Sequence, residues 1–147
     1  MNHKRKNYQI LVVDDEIEYQ KVVSLILEDA GYRANACSNG EEALHFLQEN
    51  EVDLVITDIR MPVMTGTELI EKMAELQYDA DILVVTAYGS IEGAIDAIRL
   101  GAGDYFVKSS DLDELIRKVD RISQMKRLKD KTDILLKNQN NEDVFLY

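Results

Sequence analysis

Five short apolar runs, each followed closely by a segment of helical spacing, fix what this chain can fold into. The runs are 8–13 (YQILVV), 32–37 (YRANAC), 52–57 (VDLVIT), 81–86 (DILVVT) and 104–107 (DYFV). Each is rich in β-formers and too short for a buried helix, so each predicts a strand. The segment 16–30 carries Ile17, Val22, Leu25, Ile26 and Ala30 at helical spacing. Asp15 with Glu18 reads as its capping pattern and Gly31 as its stop. Asn39 and Glu42 open a second helix with Ala43, Leu44 and Leu47, closing near Asn50. Thr65 with Glu68 caps a third, running to about Leu76. Ser90 caps a fourth, with Ile91, Ala94, Ile95, Ile98 and Leu100 at core spacing and Gly101 as its stop. Asp111 with Glu114 starts a fifth, with Leu112, Leu115, Ile116, Val119 and Ile122 inward.

Strand–helix alternation with short connections implies a parallel sheet covered on both faces. Right-handed crossovers make five such units a doubly wound α/β sandwich, (βα)5 and flavodoxin-like. The predicted strand order is 2-1-3-4-5, with the switch point between the first and third strands. The second run is the least apolar and belongs near an edge.

In such a sheet the carboxyl ends of the strands line one edge, where ligands bind. There the first strand supplies Asp14 and Asp15, the third Asp58, the fourth Thr86 and the fifth Lys108. Taken singly, each has a dull explanation: loop-starting aspartates, a strand-end threonine, a surface lysine. Their joint placement does not. Three close carboxylates repel one another, and a divalent cation relieves that repulsion. An all-oxygen, highly charged site suits Mg²⁺, which keeps waters and bridges to phosphate. Histidine and cysteine ligands of the kind zinc favours are missing, since the chain holds only His3, His45 and Cys37. A carboxylate beside Mg²⁺ is a competent nucleophile for phosphoryl transfer, and Lys108 and Thr86 can contact the phosphoryl oxygens.

Other features bound the function. The formal net charge of −11 argues against direct binding to nucleic acid or an anionic membrane surface. His3, Lys4, Arg5 and Lys6 read as a solvated, frayed terminus. His45 reads as a helix-surface residue, and Cys37 as a small, partly buried apolar one that has no partner for a disulfide. No run reaches membrane-span length and no apolar signal core opens the chain, so a cytosolic location is expected. From Gln124 the composition turns to Lys, Asp, Asn and Gln. Met125, Leu128, Thr132 and Leu135 can continue a helical seam, or the segment is a solvated linker. The stretch 138–143 reads as loop. The apolar Val144-Phe-Leu-Tyr147 suggests a longer natural protein.

The pattern Asp14-Asp15, Asp58-Ile-Arg-Met61-Pro62-x-x-x-Gly66, Thr86-Ala87 and Lys108, in this order and spacing, resembles the receiver domain of two-component response regulators. The likeness spans about 9–122, which divides the chain into a receiver, 7–123, and a helical or disordered linker, 124–147. The resemblance implies that Asp58 is phosphorylated by a partner sensor histidine kinase. It implies Mg²⁺ on Asp15 and Asp58, with Asp14 holding a water and the Arg60 backbone carbonyl completing the site. Lys108 would pair with the phosphoryl group. Thr86 would swing toward it, and Tyr105 would follow from an outward to an inward rotamer. The family usually has a cis-proline after the lysine. Here Ser109 stands there, and a cis bond before a non-proline residue costs roughly 2.5–4 kcal/mol, so the cost is met locally or the bond is trans.

Thr86-Ala-Tyr-Gly-Ser90, Ala97-Ile-Arg-Leu-Gly-Ala-Gly-Asp-Tyr-Phe106 and the long last helix resemble receivers of the nitrogen-regulator type. Such proteins continue into an AAA+ ATPase and a DNA-binding domain, neither of which is encoded here. A homodimer through the last helices and linker is the expected assembly. Arg60 and Tyr88 flank the expected pocket and are expected to slow phosphoryl hydrolysis by crowding water. Two other classes fit less well. An Mg²⁺-dependent phosphatase with an aspartyl nucleophile places Asp-x-Asp after the first strand, whereas this chain has Asp14-Asp15-Glu16 and no cap domain. A dinucleotide-binding module needs Gly-x-Gly-x-x-Gly there. Gly101-Ala-Gly103 instead precedes the fifth strand.

Overall fold

The structure, a computed structural model, describes residue 5 and residues 7–87 and 91–145, with 140–145 as backbone only. Its elements follow the predicted alternation: β1 Gln9–Val13, α1 Ile17–Asp29, β2 Arg33–Cys37, α2 Gly40–Glu49, β3 Leu54–Asp58, α3 Gly66–Glu75, β4 Asp81–Thr86, α4 Ile91–Leu100, β5 Asp104–Val107 and α5 Leu112–Phe145. All strand pairs are parallel and the order is β2-β1-β3-β4-β5. The polar second strand lies at the edge, as its composition requires.

Alternate strand residues feed two cores. Leu11, Val13, Val55 and Val84 face α2, α3 and α4, whose Leu47, Leu69, Met73 and Ala97 meet them. Ile10, Val12, Ile56, Leu83 and Phe106 face α1 and α5, which contribute Val23, Leu27, Leu115 and Val119. The central strands are therefore buried on both sides, and their near-continuous apolar sequences follow from that.

Two helices turn differently from their predicted faces. Ile91, Ile95 and Ile98 of α4 are exposed, whereas Ala94 and Ala97 are buried. The small side chains let α4 lie close to the sheet, and the isoleucines are left outside. In α1 the buried positions are Gln20, Val23 and Leu27, while Ile17, Val22 and Leu25 face out.

Caps were legible in part. Asn39 accepts from Glu42 N–H at 2.9 Å, and Thr65 Oγ1 accepts from Glu68 N–H at 3.1 Å. Gly31 and Gly101 end their helices at φ 99° and 130°. The Asp15–Glu18 box does not form. The N-cap of α1 is Glu16, without a side-chain cap, because Asp14 takes the turn by accepting the Glu16 N–H at 2.8 Å. The cap assigned to Ser90 lies outside the described residues.

Both termini also correct expectations. Residues 138–143, read as loop, continue α5, which runs unbroken for 34 residues. Arg5 is not frayed. It bonds Ala30 O at 2.8 Å, pairs with Asp120 at 3.2 Å and lies 5.2 Å from the Tyr32 ring centre. His3, Lys4 and Lys6 lie outside the described residues.

Candidate functional site: an acidic cleft at the carboxyl edge of the sheet

Strand β1 ends at Val13 and the chain turns over the sheet edge at Asp14, which is buried. Three bonds pin this turn. Asp14 N–H donates to Cys37 O at 3.1 Å, Gln20 Nε2 donates to Asp14 O at 2.5 Å, and Asp14 Oδ1 takes the Glu16 N–H. Gln20 also reaches Ser38 Oγ at 3.1 Å, so one buried amide ties the ends of β1 and β2 together. Strand β3 delivers Asp58 as its last residue, also buried. The loop behind it is anchored by buried Met61 and closed by Gly66, whose N–H donates to Ile59 O at 2.8 Å. A Cβ on Gly66 would stand 2.2 Å from Asp58 O, so the approach of α3 to the end of β3 admits only glycine. Buried Thr86 closes β4, and its carbonyl accepts the Lys108 N–H at 2.9 Å, which joins the ends of β4 and β5.

Lys108 reaches into the centre. Its Nζ lies 2.9 Å from Asp14 Oδ2, 2.9 Å from Glu16 Oε1 and 3.2 Å from Asp58 Oδ2. Its underside faces the Tyr19 ring, 4.7 Å from the centroid. The Lys108–Ser109 bond is trans, since no cis peptide occurs among the described residues. Sequence had left that geometry open.

Burial pushes the Asp14 carboxyl above its ordinary range, and the Lys108 contact and the Glu16 N–H offset this only in part. Burial also pushes Asp58 up; Lys108 pulls it down, and neighbouring Asp14 pushes it up again. For Lys108 burial acts to lower the pKa, but contacts with Asp14 and Glu16 and the charge of Asp58 more than reverse it. A single lysine thus shares three carboxylates and neutralises fewer charges than it faces.

Asp14, Glu16 and Asp58 present carboxylate oxygens within 4.8 Å of one another. An all-oxygen set with two buried members can hold a hard divalent cation. Glu16 was not among the residues singled out from sequence. Its signal was the unbroken acidic run Asp14-Asp15-Glu16, the last of which read only as the start of a helix. Asp15 is exposed, but it lines the same cleft of about 190 Å³ with Glu16, Asp58, Arg60, Thr86 and Lys108. Arg60 N–H lies 3.4 Å from Asp58 Oδ1, at the limit of a hydrogen bond. Tyr105 is on β5, half-exposed and away from the carboxylates, with Lys118 Nζ 5.9 Å from its ring centre. Tyr88 lies outside the described residues. Larger clefts, about 420 and 410 Å³, open at the opposite edge around Lys126, but no such convergence of carboxylates occurs there among the described residues.

A doubly wound sheet carrying this edge defines a class, and the chain belongs to it: residues 10–120 match the response regulator receiver domain family. Among its relatives, the chain is 36% identical over 121 residues to the regulatory protein AtoC of Escherichia coli (strain K12), covering 82% of this chain and 26% of that one. It is 39% identical over 106 residues to the transcriptional regulatory protein ZraR of Klebsiella oxytoca, covering 72% and 24%. The chain therefore spans about a quarter of the length of these curated relatives. Among solved structures, NtrX from Brucella abortus superposes with a TM-score of 0.82 at 29% identity, covering 86% of this chain and 29% of that one. FixJ-N superposes at 0.76 and 28% identity, covering 81% and 95%. The chain is a receiver domain similar to those of transcriptional regulatory proteins.

Proposed function

We propose that this chain is a phosphorylation-activated switch whose phosphoacceptor is Asp58. An Asp58 carboxylate oxygen attacks the phosphorus of a phosphohistidine on a sensor kinase. The new P–O bond forms as the P–N bond breaks, and the histidine nitrogen leaves with its electron pair. One observation carries this reading: Lys108 Nζ stands 3.2 Å from Asp58 Oδ2 and 2.9 Å from Asp14, so a cation waits beside a buried carboxylate at an open cleft. Asp14, Asp15, Asp58 and the Arg60 carbonyl are the proposed Mg²⁺ ligands, with Glu16 beside them. When bound, Mg²⁺ neutralises the charge that the carboxylates and the incoming phosphoryl group bring together.

Lys108 then pairs with the phosphoryl oxygens. Thr86 donates to the same group, and Tyr105 moves inward behind it. The modification adds about −1.5 to −2 of charge, taking phosphoserine as a guide. A few kcal/mol of differential stabilisation suffices to shift such an equilibrium. In this reading residues 7–123 are the receiver and 124–147 the linker, whose described part continues α5 to Phe145. The parent protein is proposed to be a cytoplasmic transcription regulator of the nitrogen-regulator type, with its output domain beyond Tyr147 and its dimer contact in the last helix. Among the described residues no helix is long and apolar enough to cross a membrane.

Incubation with Mg²⁺ and acetyl phosphate tests the assignment. One phosphoryl group should add to the wild type and none to Asp58→Asn; a mass increase that persists in the variant refutes it.

A further inference from the structure

We propose that Tyr19 is a positioning residue for Lys108, its ring holding the ammonium at the phosphoacceptor without competing for the donors the phosphoryl group needs. The inference rests on the reading of Asp58 given above and concerns how its lysine is kept in place.

Tyr19 lies in the first turn of α1, which α1 packs against the second core. Its hydroxyl is buried and has no hydrogen-bond partner among the described residues. Burial pushes that hydroxyl up to about 12, and Lys108 acts against the shift. A buried tyrosine normally finds a partner for its hydroxyl. Here the ring is the part in use: its face lies 4.7 Å from Lys108 Nζ, within the range of a cation–π contact.

The carboxylates alone do not fix the ammonium for its task. Asp14 and Glu16 each stand 2.9 Å from Nζ, closer than Asp58 at 3.2 Å, and both draw it away from the phosphoacceptor. Glu16 is largely exposed, so its hold is easily exchanged for water. The lysine stem is flexible. A π face differs from a carboxylate in one way that matters here. It attracts the cation through its quadrupole and takes no N–H in a directed hydrogen bond, so all three donors stay available to oxygens. The ring closes the side of the ammonium that faces α1, and the open side faces the cleft. An aliphatic residue at position 19 would fill similar space and leave that side without attraction.

The full chain is incubated with Mg²⁺ and acetyl phosphate, and phosphoryl uptake is followed by intact mass for the wild type, Tyr19→Leu, Tyr19→Met and Tyr19→Phe. Uptake should slow about three- to tenfold in the two aliphatic variants, the range a partly desolvated cation–π contact supports. Tyr19→Phe, which keeps the ring and drops the idle hydroxyl, should restore it to within about twofold of the wild type. In parallel, the Lys108 ε-methylene protons of the wild type should resonate upfield of the other lysines through the ring current. That shift should persist in Tyr19→Phe and vanish in whichever aliphatic variant folds. Aliphatic variants as fast as wild type, a Phe variant as slow as they are, or an unshifted Lys108 in the wild type would each overturn the proposal. If the wild type takes up no phosphoryl group, the Asp58 reading has failed; the ring-current shift then shows separately whether Tyr19 holds the lysine.

Discussion

At the scale of single residues, three side chains carry two kinds of penalty that the fold does not need. Val63 sits in the loop behind Asp58 at φ 72°, and it is 73% exposed. A β-branched residue in the left-handed region is strained, typically by 1–3 kcal/mol. Nothing in its burial offsets this. Val63→Gly should therefore raise the urea midpoint, with a gain in unfolding free energy of about 1 kcal/mol net once the greater freedom of glycine in the unfolded chain is subtracted. An unchanged or lower midpoint would show that the strain is not there. The second penalty is charge. Asp14 and Asp58 both have pKa values raised on folding, first by burial. A carboxyl with a raised folded pKa binds more protons in the native state than in the unfolded one. Stability is then greatest below the unfolded pKa and falls as pH rises through the folded value. Asp58→Asn should stabilise the protein at pH 7, and the gain should shrink to nothing below about pH 4, where the unfolded carboxyl is itself protonated. Chemical denaturation of both proteins across pH 3–8 checks it. A gain that stays constant with pH would mean that charge is not its source.

At the scale of elements, alternation and punctuation were readable and helix rotation was not. The strands declared themselves because both faces of β1, β3 and β4 are buried and the sequence there is almost uninterruptedly apolar. Asn39, Thr65, Gly31 and Gly101 were readable because each solves a local backbone problem. Which face of α4 turns inward was not, since Ala94 and Ala97 win by being small, a tertiary criterion invisible to a hydrophobicity count. The edge of the sheet behaved likewise. Asp14, Asp58, Thr86 and Lys108 follow from strand order alone. Glu16 reaches the cleft, and Tyr19 the side of Lys108 turned away from it, because the chain turns sharply at Asp14, a turn set by Gln20 and by the Asp14 carboxylate itself. Gly66 entered from sequence only as the end of the motif that begins at Asp58, and the structure gives it a stricter duty. It lets α3 start against the backbone of β3, where an added Cβ would overlap Asp58 O and crowd Ile59 Cα at 2.9 Å. The contact atoms are backbone and cannot rotate away. Gly66→Ala should cost about 3 kcal/mol in equilibrium denaturation. It should also slow phosphoryl uptake on Asp58 beyond what the unfolded fraction explains, because relief requires the end of β3 to move. A loss under 1 kcal/mol would mean the helix can back away freely.

At the scale of the whole molecule, α5 is two things joined end to end. By its rise it is about 50 Å long, far longer than the sheet it packs on. Its first part is core: Leu115 and Val119 are buried against β1, β3, β4 and β5, and Ser123 is buried beside the Tyr32 hydroxyl. Fastening continues beyond the predicted boundary at residue 123. Lys126 Nζ pairs with Asp53 Oδ1 at 2.9 Å, and the other oxygen of Asp53 accepts the Gln9 N–H at 2.8 Å. From Leu128 to Gln139 every side chain is exposed, including Leu128, Ile134, Leu135 and Leu136. A helix of that length with no packing partner is marginal in water. Its apolar positions make a second copy of the same segment the natural cover, in line with the proposed dimer. A cut after Arg127 should therefore separate the two parts. The shortened chain should keep the unfolding free energy of the full one to within about 0.5 kcal/mol and sediment as a monomer. A cut after Ile122 removes Ser123 and Lys126 as well, and should lose a further 1–2 kcal/mol, roughly one buried hydrogen bond and one half-buried ion pair. The full chain should gain helicity and mass together as its concentration rises, and gain both at lower concentration once phosphorylated. A full chain that stays monomeric and equally helical at every concentration, with or without acetyl phosphate, would mean that the exposed turns of α5 are not a dimer seam and that the helix beyond Arg127 stands without one.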